Sequence, residues 1–126
     1  MKLGIVIPCY NEEEVILEIN KRLQTLLDSM IENGDISNES FICFVDDGST
    51  DDTWDKIKEV QEKNSYVKGI KLSRNFGHQN ALIAGLMQLQ NDADALISMD
   101  ADLQDDIGLI ENFVEKYKEG YEIVYG

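Results

Sequence analysis

The sequence predicts a layered α/β domain built on a mostly parallel sheet, and three observations predict it. Short apolar runs alternate with stretches of helical periodicity along the chain, the pattern of strands linked by crossover helices. The clearest runs are apolar at consecutive positions, as in strands covered on both faces. Each of the first four runs is followed by a polar, acidic or glycine-containing cluster. Right-handed crossovers bring the carboxyl ends of parallel strands to one edge, and open α/β sheets bind ligands there.

Leu3 to Ile7 is the first expected strand, closed by Pro8. The acidic segment Cys9 to Glu14 suits a helix N-terminus, and Val15, Ile16, Ile19, Leu23, Leu26, Leu27, Met30 and Ile31 follow helical spacing. Gly34 and the polar residues Asp35 to Ser40 make a loop. Phe41 to Val45 is the second strand, ending in Asp46-Asp47-Gly48-Ser49-Thr50. A cap at Ser49 or Thr50 is expected to start a helix whose inner face is Trp54, Ile57 and Val60.

Tyr66 to Leu72 is a third strand, interrupted by Lys68 and Lys71, and it leads into Ser73-Arg74-Asn75-Phe76-Gly77-His78. Ala81 to Leu89 is helical, with Gly85 as a close-packing point. Ala95 to Ile97 begins a fourth strand that ends at Asp100 and Asp102. A helix with Leu109, Ile110, Phe113, Val114 and Tyr117 on one face follows, and Tyr121 to Tyr125 reads as a last strand.

With 126 residues, 43% of them hydrophobic, and one proline, the chain has the size and composition of one globular domain. A chain of this length buries roughly two-thirds of its unfolded surface. Eleven Lys and Arg against 25 Asp and Glu give a net charge of −14. That field repels nucleic acid and anionic membrane surfaces, so nucleic acid is excluded as a partner. An anionic small ligand requires a bridging cation. No run of 18 or more apolar residues occurs, hence no membrane span, and the amino-terminal residues lack a signal-peptide pattern. Cys9 and Cys43 fall at or within strands and read as buried thiols of a reducing cytosol.

The pair Asp100 and Asp102 is the focus of the sequence. Two close carboxylates repel unless a positive charge lies between them. Mg²⁺ suits such a pair, because it takes one or two carboxylates and leaves positions for water and substrate phosphates. The alternative on the residues alone is a helix cap at Asp102 and a solvated turn at Asp100.

Four motifs extend this reading: Val6-Ile-Pro-Cys-Tyr-Asn-Glu12, Val45-Asp-Asp-Gly-Ser-Thr-Asp-Asp-Thr53, Leu72-Ser-Arg-Asn-Phe-Gly-His-Gln79 and Met99-Asp-Ala-Asp-Leu-Gln-Asp105. In this order they resemble family 2 glycosyltransferases, most nearly those that charge dolichyl or other polyprenyl phosphates with a sugar. The resemblance implies the A-type glycosyltransferase fold (GT-A), a Rossmann-like nucleotide-diphospho-sugar transferase architecture. It also implies a UDP- or GDP-sugar donor and inversion at the anomeric centre. Pro8, Tyr10 and Glu12 would line the nucleotide pocket, and Asp46 or Asp47 would accept from the base's ring N–H. Arg74 is a candidate phosphate contact. Asp100 and Asp102 would bind Mg²⁺ or Mn²⁺ with the diphosphate, and Gln104 would complete the metal shell. The metal would act as a Lewis acid for the departing nucleoside diphosphate. A lipid-phosphate acceptor is already anionic near neutral pH and needs no general base.

Two features depart from the family pattern. Relatives carry proline shortly after the Leu-Gln-Asp segment, where this chain has Asp106-Ile107-Gly108. Relatives also continue into an acceptor-binding half, often with membrane helices, so residues 1–126 are expected to be a donor-binding domain, incomplete at the C-terminus. The resemblance places such enzymes in the cytoplasm or at the cytoplasmic face of a membrane. An exposed sheet edge would favour a homo-oligomer. Competing readings are a nucleotide-binding fragment without catalysis, a phospho-acceptor receiver domain, and a phosphatase with an Asp-X-Asp nucleophile. A receiver needs an acidic pair after the first strand, and here Pro8-Cys9-Tyr10-Asn11 stands there.

Overall fold

A computed structural model describes residues 1–101 and 108–118 of the chain. The elements run β1 (Leu3–Cys9), α1 (Ile16–Glu32), β2 (Phe41–Asp46), α2 (Thr53–Lys63), β3 (Val67–Lys71), α3 (His78–Leu89), β4 (Ala95–Ser98) and α4 (Gly108–Lys118). The four strands form one parallel sheet in the order β3-β2-β1-β4.

That order follows from where the apolar side chains go. β1 and β2 are buried along their whole length because each face of the sheet is covered. Leu3, Ile5 and Ile7 of β1 and Ile42 and Phe44 of β2 pack in one cluster with α1, α2 and α4. Val6, Phe41, Cys43 and Val45 point the other way, toward Ala81 and Leu89 of α3. Right-handed crossovers with this strand order put α1 and α2 on one face and α3 on the other, as observed. The winding therefore reverses between β1 and β4, and the carboxyl ends of those two strands flank the switch point.

Gly85 is what lets α3 approach the sheet. A Cβ there would lie 2.8 Å from Val45 Cγ2 and 2.9 Å from Val6 Cγ1, as its expected role as a packing point requires. Cys9 and Cys43 are both buried and belong to opposite faces, so they are structural thiols.

Several sequence expectations shift. Pro8 does not close β1, which runs on to Cys9. The Cys9 carbonyl faces β2, accepting from Asp47 N, so Pro8 faces the β4 side, and pairing to β4 ends at Val6 with Ser98. The missing N–H of Pro8 therefore costs no ladder bond. The acids Glu12 to Glu14 precede α1 instead of opening it, and Val15 is the N-cap residue.

The helix after β2 starts at Thr53, not at a Ser49 or Thr50 cap, because both of those residues are bonded to Asn11. Leu109 and Tyr117 are exposed while Ile110 and Val114 are buried, so the inner face of α4 is narrower than its sequence suggests. The expected strand at Tyr121 to Tyr125 lies outside the described residues.

Candidate functional site

The segments that follow β1, β2 and β3 are bonded to one another at the carboxyl edge. Asn11 takes a left-handed backbone, φ 53°, a conformation that Asn tolerates better than most residues. Its N–H donates to Ser49 Oγ at 2.9 Å, and its side-chain oxygen accepts Thr50 N at 2.9 Å. Glu12 N donates to Thr53 Oγ1 at 2.8 Å, and Glu13 Oε2 accepts Asp52 N at 3.2 Å. Asp51 accepts from both the amide and the hydroxyl of Thr53. Desolvation pushes the Asp51 carboxyl up, but these bonds outweigh it and hold the group below its ordinary range.

The two aspartates that end β2 do different work. Asp46 is fully buried. Its Oδ1 accepts Ser49 N at 3.2 Å, while Oδ2 has no hydrogen-bond partner among the described residues. An orphaned buried carboxylate oxygen calls for a donor. Asp47, also buried, accepts Phe76 N on Oδ1 at 2.7 Å and Gly77 N on Oδ2 at 3.1 Å. That ties the segment between β3 and α3 to the tip of β2.

Gly48, at φ 69°, makes the tie close. A Cβ there would lie 2.2 Å from the Arg74 carbonyl carbon and 2.4 Å from Asn75 N. Arg74 is exposed, with its guanidinium 4.4 Å from the centre of the Phe76 ring, an arrangement that stacks the cation on an aromatic face.

Of the other sequence-predicted residues, Pro8 is buried, Tyr10 is exposed at 44%, and Glu12 is half-buried. Asp100 lies just past β4 with an exposed side chain, and His78 Nε2 at the start of α3 is 3.0 Å from its Oδ1. Asp102 and Gln104 lie outside the described residues. Among the described residues no group of three or more His, Cys, Asp or Glu could hold a metal ion. Carboxylate and amide oxygens, the donor set named by the sequence, fit a hard divalent cation, and Asp100 is the one member of it with a described position. The Cys9 thiol is no competitor for this role. Burial, then the charges of Glu12 and Asp46, push it well above its ordinary value, which keeps it protonated.

Nothing in the sequence alone assigns a role to Asn11, Gly48 or His78, or shows the Asp47 clasp. An Asn or Gly at a strand end is a weak hint of a positive φ. No local pattern tells that residues so far apart meet. A cavity of about 360 Å³ lies elsewhere, between the end of α1 and α4, against Asp35, Glu111 and Glu115. Its described lining has no basic group, so it suits an anionic ligand poorly.

A parallel sheet covered by helices, with its polar clusters along the carboxyl edge, defines an open α/β domain. The particular family follows from comparison with known proteins. Residues 4–126 match the family model described as glycosyl transferase family 2, and the chain belongs to that family. Among its relatives is the uncharacterized glycosyltransferase YkoT of Bacillus subtilis, 52% identical over 124 residues, which cover 98% of this chain and 37% of the relative.

Among solved structures, mannosyltransferase PcManGT from Pyrobaculum calidifontis, in complex with GDP-Man and Mn²⁺, superposes with a TM-score of 0.61. It is 22% identical and is matched over 80% of this chain and 27% of its own. TarS 1–349 of S. aureus, in complex with UDP, has a TM-score of 0.60 at 22% identity, over 99% of this chain and 38% of its own. These likenesses establish the GT-A fold. The chain spans a little over a third of the length of the curated relative, 37%.

Proposed function

We propose that residues 1–126 form the donor-binding domain of an inverting glycosyltransferase that takes its sugar from a UDP- or GDP-sugar. The observation that carries this reading is the joined carboxyl edge. Asp46, Asp47, Gly48 and the Arg74 segment are bonded or packed together beside the β1–β4 switch point, and Asp100 follows β4. It is supported by family membership and by two neighbours of the same fold that bind UDP or GDP-Man.

In this reading Tyr10, Pro8 and Glu12 line the nucleoside pocket, and the Asp46–Asp47 pair presents carboxylate oxygens to the ring N–H of the base. Arg74 faces the phosphates. Asp100 and Asp102, with Gln104, hold Mg²⁺ or Mn²⁺. When bound, the cation supplies neutralisation of the diphosphate and Lewis-acid help to its departure.

The acceptor oxygen forms its bond to the anomeric carbon as the bond to the nucleoside diphosphate breaks, on the opposite face, which inverts the centre. The acceptor is a polyprenyl phosphate, whose anionic oxygen needs no base. The reaction then occurs at the cytoplasmic face of a membrane. No helix among the described residues is long and apolar enough to cross one.

Calorimetry with UDP and with GDP, with and without Mn²⁺, tests the reading on the wild-type chain and on Asp100→Ala and Asp102→Ala. The expected result is metal-dependent binding of one nucleotide, weakened by either substitution. Binding indifferent to metal and to both substitutions removes the donor-site assignment.

A further inference from the structure

We propose that His78 is a positioning residue for Asp100, its imidazole fixing the orientation of that carboxylate at the switch point and so tightening divalent-cation binding; this rests on the donor-site reading above. The two residues come from different elements, the first turn of α3 and the end of β4, and meet at 3.0 Å between Nε2 and Oδ1. Their side chains are 56% and 67% exposed, and exposed pairs of this kind contribute little to stability. Orientation is the consequence that remains.

Both backbones are anchored in the buried sheet. Immediately before His78, the amides of Phe76 and Gly77 end on buried Asp47, and Gly48 leaves no slack against Arg74 and Asn75. Farther along α3, Gly85 seats the helix on Val6 and Val45. Beside Asp100, Met99 N donates to Val6 O at 3.1 Å. The side chains that bridge the gap are short, so anchoring their backbones leaves the carboxylate few orientations.

A neutral imidazole with its proton on Nε2 is a sufficient donor, so the role does not depend on charge. Carboxylates that bind metal are commonly held by such an outer partner, and removing one typically weakens metal binding about 10- to 100-fold.

The test is Mn²⁺ titration followed by electron paramagnetic resonance, at saturating UDP or GDP, on wild type, His78→Ala and His78→Gln. Alongside it run thermal unfolding midpoints and ¹⁵N shifts of the His78 ring in wild type and Asp100→Ala. The proposal expects about tenfold weaker Mn²⁺ binding in His78→Ala, recovery in His78→Gln, whose amide N–H has a similar reach, and unchanged midpoints. It also expects a metal-free ring shift pattern of an Nε2-protonated tautomer that alters in Asp100→Ala.

Three results overturn it alone: wild-type Mn²⁺ affinity in His78→Ala, no recovery in His78→Gln, or ring shifts indifferent to Asp100→Ala. A wild-type chain that binds neither nucleotide with Mn²⁺ overturns the donor-site reading and this proposal together.

Discussion

The carboxylate of Asp47 accepts the backbone N–H of Phe76 at 2.7 Å, joining the end of β2 to the segment that opens α3. Gly77 N takes its other oxygen. Hydrogen bonds to a charged group contribute about 1.5–3 kcal/mol each, and burying the orphaned partner adds to the loss. Asp47→Ala should therefore lower stability by about 3 kcal/mol or more, read from urea midpoints. Asp47→Asn keeps one acceptor oxygen and should cost clearly less. Amide exchange at Phe76 and Gly77 should speed up in the alanine variant ahead of the rest of the sheet. Unchanged exchange at those two amides would refute the clasp.

Gly48 and Gly34 make a matched pair. Both have positive φ, 69° and 79°, but a Cβ at Gly34 meets nothing within 4 Å, whereas one at Gly48 meets the Arg74 and Asn75 backbone. Gly34→Ala should cost only the left-handed strain of about 1–2 kcal/mol. Gly48→Ala adds overpacking of about 1–3 kcal/mol that backbone atoms cannot relieve by a rotamer change. It should also weaken nucleotide binding, because the segment it displaces carries Arg74. Equal denaturation midpoints for the two variants would contradict the close approach.

Burial raises the Cys43 thiol from 9.0 to about 12, with Lys68 pulling slightly the other way. The folded chain thus keeps a proton that the unfolded chain releases from about pH 9. Over the window from 9 to about 12 the folded state binds more protons, and stability falls as pH rises. Cys43→Ala lacks this dependence. The stability gap between wild type and Cys43→Ala should narrow from pH about 8 to about 10.5. A gap that stays constant would mean the thiol titrates normally in the fold.

The parallel α/β class, the strand-end placement of the polar clusters and most buried helix positions were legible because apolar periodicity reports burial directly. Ile16, Leu23, Ile57 and Val114 all face the core, and Gly85 packs where its place inside a helix suggested. Element ends were less legible. Pro8 stays within β1 because its neighbour on that side has already ended, a fact about β4 and not about the residues around Pro8. Ser49 and Thr50 look like caps, yet Asn11 claims both. Within the candidate site, the sequence expected Asp46, Asp47 and Asp100 at or just past strand ends, and they lie there. It could not separate the orphaned Asp46 oxygen from the doubly bonded Asp47, since the two are chemically identical neighbours whose difference is set by the β3–α3 segment.

The bonds that Asn11 and Asp47 make to residues distant in sequence have a bearing on affinity. Three segments that would otherwise fluctuate independently are fastened as the chain folds. A small ligand arriving at this edge meets walls whose conformational freedom is already spent, so less of its interaction free energy is lost to ordering them. Association here should be fast and shape-selective. Insertions into the segments after β1, β2 or β3 should harm recognition far more than equal insertions into the loop around Asp35 at the opposite end of α1.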